Sequence, residues 1–212
     1  MKKIFLMTVS VLCFALPATA QETVSSAKQN SYLTFRLGAG RMNMEVKTRK
    51  DNDKENKTLL AISGAVGTTI ADGVRAEVEL MAFEKYEDKV IDGSGQYYYE
   101  QSVANISVNI LKDFDAGKIK PYIGGGLGFA VFHDESEYNF MSGMIHYRGK
   151  WKDDNVTLSA NIQAGLAMDV TDKVGIDVNA RYTYFDSYEC FNDAIKMKNQ
   201  TLNFTAGLRF NF

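Results

Sequence analysis

The chain has few of the residues that stabilise small exported folds by cross-linking. Its 212 residues include two cysteines, two prolines and two histidines. One cysteine, Cys13, falls inside an N-terminal apolar segment, which leaves Cys190 alone in the mature chain. No intramolecular disulfide can then form. Stability must come from hydrogen bonds and packing.

A dominant charge and a long apolar run are also missing. The formal net charge of −2 at pH 7 gives no sign of a nucleic-acid partner. A mean hydropathy of −0.22 excludes a bundle of membrane helices. It does not exclude a transmembrane β-barrel, because such a barrel distributes its apolar residues in alternation with polar ones.

The first twenty residues have the pattern of a secretory signal peptide. Met1–Lys3 is basic, Ile4–Leu16 is apolar, and Ala18–Ala20 supplies small residues around a cleavage point. We predict cleavage near Ala20. Residues 21–30 would form a short periplasmic segment and residues 31–212 a barrel domain. Loss of Lys2 and Lys3 would bring the net charge near −4.

From Ser31 onward, apolar and polar residues alternate with the period of two that indicates β-strands. The pattern is clearest at the end, where Leu202, Phe204, Leu208, Phe210 and Phe212 share one face. It predicts eight strands, an even number. The predicted strands are Tyr32–Met44, Leu59–Ile70, Val74–Tyr86, Tyr97–Leu111, Lys120–Phe132, Val156–Val170, Val174–Tyr184 and Leu202–Phe212.

The predicted connections alternate in length. Ala71–Gly73, Asp113–Gly117 and Thr171–Lys173 are short, whereas Glu45–Thr58, Glu87–Gly95, His133–Asp154 and Asp186–Lys198 are longer and polar. Short turns at one end and long loops at the other are typical of outer-membrane barrels. The sequence therefore predicts an all-β, eight-stranded, antiparallel up-and-down transmembrane β-barrel.

Alternation alone does not decide which face points inward. The polar face is rich in Gly, Ser, Thr and Asn, and its charges balance, which favours a polar interior and a lipid-facing apolar side. Buried charges need partners of opposite sign. The candidate lumen network comprises Arg36, Arg75, Arg181 and Arg209 with Glu77, Glu79, Asp169 and Asp177. Eight strands leave an interior that side chains just fill.

Aromatic residues near the predicted strand ends suit interfacial girdles. These residues are Tyr97, Tyr98, Tyr99, Tyr182, Tyr184, Phe185 and Phe212.

Three segments resemble the small opacity-type and OmpX-like outer-membrane proteins. Lys120–Gly128 looks like their Pro-Tyr-x-Gly-x-Gly-x-Gly strand, Val74–Glu79 resembles a strand with inward Arg and Glu, and Gly207–Phe212 is similar to their terminal strand. The resemblance implies that Leu208, Phe210 and Phe212 are read by the outer-membrane assembly machinery. It also implies residence in the outer membrane of a Gram-negative bacterium, in contact with its lipids and lipopolysaccharide.

Catalysis has little support in the sequence. His133 and His146 lie in the third long loop near Ser136 and Ser142, so a third alternative is a lipid-modifying enzyme with a Ser/His/acid group. No nucleophile motif surrounds either serine. No zinc spacing, phosphate loop or nucleotide fingerprint is present. We expect no enzyme activity and no cofactor.

The long loops are the expected place for recognition. Basic residues of the first loop could contact lipopolysaccharide phosphates. The third loop is apolar enough either to extend two strands as a protruding hairpin, whose edge could pair with a partner, or to cap the barrel mouth. The contact candidates are Lys47, Arg49, Lys50, Phe140, Met144, Tyr147 and Trp151.

Two functions stay open from the sequence. One is a monomeric structural barrel that presents loops to a host or surface ligand. The other is a narrow, porin-like barrel that passes a small solute or lipid.

Overall fold

The computed structural model describes residues 31–47, 52–92, 95–142, 145–190 and 195–212. The predicted signal peptide, its cleavage point near Ala20 and the segment 21–30 lie outside these ranges. Within them, the chain is built from strands, and no helix is long and apolar enough to cross a membrane.

Ten strands follow one another along the described chain, and nearly all obey the alternation seen in the sequence. Their bounds are β1 Ser31–Lys47, β2 Asn52–Ala71, β3 Val74–Phe83, β4 Tyr86–Asp92, β5 Gly95–Asp113, β6 Ile119–Ser142, β7 Ile145–Asp169, β8 Val174–Phe185, β9 Tyr188–Cys190 and β10 Ile195–Asn211.

Eight of these strands form a closed antiparallel ring. The ring order is β1-β2-β3-β5-β6-β7-β8-β10, and β10 returns to pair with β1. That closing ladder runs from Tyr32↔Asn211 to Lys47↔Lys196 without a register shift. The short strands β4 and β9 extend beyond the ring and pair with β5 and β10. The predicted eight-stranded up-and-down barrel is confirmed.

The two ends of the barrel differ. At one end the connections are tight turns, two of which place Gly73 and Gly117 at φ of 63° and 80°, a region that favours glycine. Both termini of the barrel domain meet here, where the Phe212 amide donates to the Ser31 carbonyl at 2.9 Å. Short turns mark the periplasmic end, so the opposite end is extracellular.

At the extracellular end the predicted loop boundaries are wrong. Much of Glu45–Thr58, Glu87–Gly95, His133–Asp154 and Asp186–Lys198 is strand, and β6 and β7 run to 24 and 25 residues. The predicted strands stopped where alternation stopped. Above the membrane the outward face of a strand meets water and carries charged side chains, so the ladder continues without the lipid-facing apolar pattern that marks the membrane strands.

The apolar side chains of the ring face outward, as predicted. On β7 the outward residues Val156, Leu158, Ile162 and Leu166 are exposed, whereas their polar neighbours Ser159, Asn161 and Gln163 are buried. An exposed apolar belt around a closed ring is what a lipid bilayer covers. The belt ends near Val156 on β7 and Val131 on β6 at the extracellular side.

The cost of a charge on this belt should depend on depth. Ile162 lies mid-belt and is 66% exposed, whereas Val156 lies on the same face at the extracellular margin and is 68% exposed. We expect Ile162→Arg to lower the free energy of unfolding by about 2–4 kcal/mol, and Val156→Arg by about 0–1 kcal/mol. Urea unfolding of the barrel in lipid vesicles measures both. Equal losses would contradict the assignment of the membrane belt.

Candidate functional site

The interior of the ring holds a charge network around Arg36. Its Nε donates to Asp177 Oδ1 at 2.6 Å, and its Nη1 lies 3.3 Å from Glu79 Oε1. Its Nη2 lies 3.6 Å from Glu77 Oε1. All four side chains are essentially sealed from solvent. One guanidinium therefore joins acidic groups from two distant strands, β3 and β8.

Arg75 and Arg181 complete this network. Arg75 reaches Glu77 at 3.2 Å and Asp113 at 2.8 Å, and Arg181 pairs with Glu79. Six of the eight predicted lumen residues, Arg36, Arg75, Glu77, Glu79, Asp177 and Arg181, thus form one buried group with three charges of each sign. Ion pairing offsets the cost of placing them inside the membrane.

The other two predicted lumen residues form a separate pair at the periplasmic mouth. Arg209 Nη2 lies 2.6 Å from Asp169 Oδ1, and Lys120 reaches the second Asp169 oxygen at 3.0 Å. They border a cavity of about 600 Å³ that Tyr32 and Arg75 also line. The charged interior therefore opens toward the periplasm.

Three side chains that hydrogen-bond to the network were not predicted from the sequence. Tyr122 donates to Asp177 at 3.1 Å, Tyr32 donates to Glu77 at 2.7 Å, and Gln163 accepts from Arg181 at 2.8 Å. Both tyrosine rings lie over glycines, Gly165 and Gly67, where a Cβ would collide with them. A tyrosine at an inward position, with a glycine on the neighbouring strand, could have indicated these contacts in the sequence.

Above the charge network the interior is apolar. We call this cluster the extracellular plug. Phe132 is at its centre, with ring centroids 5.3 Å from Phe185 and 4.8 Å from Tyr188. The expectation of a polar interior is therefore wrong for the plug, although buried polar side chains such as Asn199 and Gln101 lie on the same parts of the strands. The plug comprises Met42, Met44, Leu59, Ala61, Met81, Phe83, Tyr86, Val103, Ala130, Phe132, Phe185, Tyr188 and Met197.

The plug also corrects part of the predicted aromatic girdle. Phe185 is fully buried in the plug, whereas Tyr182 and Tyr184 are exposed on the outer surface as a girdle requires. Tyr97, Tyr98 and Tyr99 lie in β5 beyond the belt. These tyrosines were predicted to lie at the membrane interface because the predicted strand ends lie below the true ones, which extend further from the membrane.

A buried carboxylate, Asp134, lies directly above the plug. Gln101 and Tyr188 donate to it at 2.8 and 3.1 Å, and Tyr99 also donates to it. Burial raises the pKa of Asp134, and these three hydrogen bonds oppose that rise. Asp134 thereby links β5, β6 and β9 at the base of the extracellular region.

Beyond the belt, β4 and the upper parts of β5, β6 and β7 form what we call the protruding sheet. Its ladder continues to Ser142↔Ile145 at the tip. Of the two alternatives for the third loop, the structure shows the protruding hairpin. The mouth is closed instead by plug residues from the strands.

Alternation gives the protruding sheet two different faces. The inner face, which continues the barrel interior, is aromatic, and the outer face is charged. The inner face carries Val90, Tyr97, Tyr99, Tyr138, Phe140, Tyr147 and Trp151. The outer face carries Lys89, Tyr98, Glu100, Glu135, Glu137, His146, Arg148, Lys150 and Lys152.

The predicted contact residues are divided between these regions. Phe140 and Tyr147 stack on the inner face, with ring centroids 5.0 Å apart and an interplanar angle of 17°. Trp151 is 47% exposed on the same face. Lys47 ends β1 and lies 3.2 Å from Glu45. Arg49, Lys50 and Met144 lie outside the described residues.

The edge of β7 is open along the protruding sheet. β8 pairs with β7 only from Ser159 to Asp169, and in the described chain no strand pairs with this side of β7 above that point. The Leu158 carbonyl accepts from the Asp186 amide at 2.8 Å, so even-numbered residues of β7 direct their backbone groups toward this side. Arg148, Lys150 and Lys152 thus present backbone donors and acceptors along an unpaired edge.

The two histidines do not pair with the nearby described serine. His133 Nδ1 contacts Asp154, and His146 Nε2 contacts Asn139. Ser136 is buried on the inner face, opposite to the face of His133. The side chain of Ser142 lies outside the described residues. A nucleophile and its base must be within hydrogen-bond reach, which His133 and Ser136 are not.

The predicted assembly residues lie together on the lipid-facing side of β10. Leu208 and Phe210 are exposed in the belt, and Phe212 is exposed at the periplasmic end. Their role in assembly stays a prediction.

The closed ring, outward apolar belt and buried ion pairs define an integral membrane β-barrel. A family model for the outer membrane protein β-barrel domain matches residues 6–210. The chain belongs to this family, which places it in the outer membrane of a Gram-negative bacterium. No curated protein sequence matches the chain.

The chain is similar to several solved structures at low sequence identity. Neisserial surface protein A is 17% identical, with 84% of this chain and 97% of that chain covered and a TM-score of 0.47. Ail of Yersinia pestis, solved with the heparin analogue sucrose octasulfate, is 12% identical, with 86% and 99% covered and a TM-score of 0.44. A major outer membrane protein of Thermus thermophilus is 9% identical, with 85% and 99% covered and a TM-score of 0.50.

Removal of the central cation should destabilise the barrel strongly. Arg36→Ala leaves Glu77, Glu79 and Asp177 short of one buried positive charge, so we expect a loss of about 3–5 kcal/mol in the free energy of unfolding. Lys120→Ala, which breaks a solvent-exposed pair, should cost about 1 kcal/mol or less. Urea unfolding in vesicles compares them. A cost for Arg36→Ala no larger than for Lys120→Ala would refute the network as a stabilising unit.

Proposed function

We propose that this protein is a monomeric outer-membrane anchor that binds an extended polypeptide at the cell surface by strand addition to β7. The membrane belt contacts the lipids of the outer membrane, and the closed barrel holds the protruding sheet outside the cell. The observation that carries the proposal is the open β7 edge beside exposed aromatic side chains. An unpaired strand edge is a template for another chain, and neighbouring pockets or rings supply specificity.

The aromatic inner face supports binding rather than a spacer role. Tyr97, Phe140, Tyr147 and Trp151 are each at least 40% exposed, although large aromatic side chains usually bury their surface. Tyrosine and tryptophan are enriched where proteins bind partners because they combine apolar area with a polar tip. A host or surface ligand with apolar side chains would find contact area next to the edge.

We propose that the protein does not catalyse a reaction. The support is the separation of His133 from Ser136 and the pairing of His133 with Asp154 and of His146 with Asn139. Within the described ranges, no three His, Cys, Asp or Glu side chains are placed to hold one metal ion.

A transport role is the competing function, and the plug argues against it. Phe132 and Phe185 fill the path above the charge network with no exposed surface. We expect the wild-type protein to show no steady openings in planar lipid bilayers. Reproducible single-channel openings would overturn the sealed lumen and favour transport.

Strand addition can be tested by removal of one backbone donor. Lys152 directs its N–H toward the open edge, so Lys152→Pro removes a donor that β6 does not use. We expect Lys152→Pro to lose binding to peptides of about ten residues that alternate valine with a polar residue. Lys152→Ala keeps the N–H and removes only a side-chain charge, so a peptide that alternates valine with uncharged serine should bind it as it binds the wild type. Fluorescence anisotropy with the barrel in detergent measures this.

Heat-modifiable gel mobility provides the folding control, because both variants must remain resistant to detergent before boiling. Equal binding by folded Lys152→Pro and Lys152→Ala would contradict strand addition. Strand addition would also be contradicted if the wild type bound none of the peptides that alternate valine with a polar residue.

A further inference from the structure

We infer that the strand accepted by the β7 edge is an acidic one, with carboxylates at alternate positions on the outer face and apolar side chains between them. This inference rests on the proposed strand addition and adds the chemistry of the partner. It follows from the side chains that an incoming strand would meet at the edge.

The outer face of the β7 edge is basic. His146, Arg148, Lys150 and Lys152 occupy successive outward positions, since side chains on one face recur every second residue. The next outward residue toward the membrane, Asp154, is acidic and pairs with His133. An added strand would place its own outward side chains directly opposite these residues, about 4.5–5.5 Å away between Cβ atoms. Opposite charges at that separation stabilise a strand pair, and like charges destabilise it.

Part of this positive charge is already compensated from the other side. Lys150 pairs with Glu135 and Glu137, and Lys152 lies 2.6 Å from Glu135. These lysines lower the pKa of Glu135 by hydrogen bonding. Both acidic residues belong to β6, one strand further from the open edge. Arg148 has no ion-pair partner in the described chain, so the side facing the edge keeps a positive excess.

From Tyr147 to Trp151 the inner face of the same edge is apolar, and Asp153 follows it toward the membrane. Trp151 and Tyr147 are exposed there, and the ring of Tyr138 extends from β6 over Gly149 between them. A Cβ at position 149 would collide with that ring. The glycine therefore allows three aromatic side chains to follow one another along the edge. An incoming strand with apolar residues at its inward positions would pack against all three.

A second copy of the chain does not fit this edge. Two copies in one membrane have β7 running in the same direction, so their β7 edges cannot pair antiparallel. Between copies in two facing membranes, antiparallel pairing centred on Lys150 would place Lys150 opposite Lys150 and Arg148 opposite Lys152. Like charges directly opposite each other destabilise a strand pair. The charge pattern therefore disfavours self-association at this edge and favours an acidic partner.

The test uses three peptides that alternate valine with aspartate, serine or lysine, and the complete folded barrel. We expect the aspartate peptide to bind about tenfold more tightly than the serine peptide, from the combined effect of three opposite-charge pairs, and the lysine peptide to bind least. An aspartate peptide with N-methylated alternate amides keeps its charge but cannot form a ladder. It should not bind.

A charge reversal at the edge has a matched control on the same face. Arg148→Glu should abolish the preference for aspartate over serine, because a carboxylate then faces the incoming strand. Lys89→Glu makes the same change in net charge on the outer face of β4, three strands away in the sheet, and should leave the preference intact. Heat-modifiable mobility checks that both variants fold.

The outcomes separate the two proposals. If no peptide binds, strand addition itself fails. Equal binding of the serine and aspartate peptides would leave strand addition standing and overturn the acidic partner. Equal binding of the N-methylated peptide, or equal effects of Arg148→Glu and Lys89→Glu, would show attraction by charge alone and would also overturn the inference.

Discussion

Backbone hydrogen bonding in lipid is the constraint from which the rest of this structure follows. Hydrocarbon offers no partner to an N–H or C=O group, so a sheet in a membrane must close on itself. Pairing of β1 with β10 supplies that closure from Tyr32 to Lys47. Once the ring is closed, period-two alternation divides every strand into a lipid side and an interior side. The interior of an eight-stranded ring has to be filled by side chains.

The interior meets this requirement in two chemically different ways along its axis. Strand β1 shows both, because Arg36 joins the ion-pair network and Met42 and Met44 join the plug. Near the periplasm, charges stabilise one another across the lumen. Near the cell exterior, apolar packing replaces them and excludes water from the network below. The barrel thus holds a buried charge network toward its periplasmic end and an apolar plug toward its extracellular end.

Much of the fold could be predicted from the sequence because lipid imposes a strict pattern. Eight strands, the face of Ile162 and the inward position of Arg36 all follow from alternation and charge balance. The extracellular ends could not be predicted, since residues such as Glu135 and Lys150 lie in strands that have water on at least one side. Their outward positions are charged, so they lack the lipid-facing apolar pattern by which the membrane strands were predicted. The plug was not predicted because Phe132 and Phe185 are apolar but occupy inward positions, where the sequence pattern led us to expect polar side chains.

The length of β6 and β7 has a consequence for the cell surface. From Val156 to His146 the hairpin extends ten residues past the membrane belt, about 33 Å along the strand. A paired ladder is stiff, so the open β7 edge is held beyond the surface of the bilayer. Envelope polysaccharide shorter than the hairpin leaves the edge accessible, and longer chains cover it. Access of the proposed partner to the edge would then depend on two lengths, that of the hairpin and that of the envelope polysaccharide.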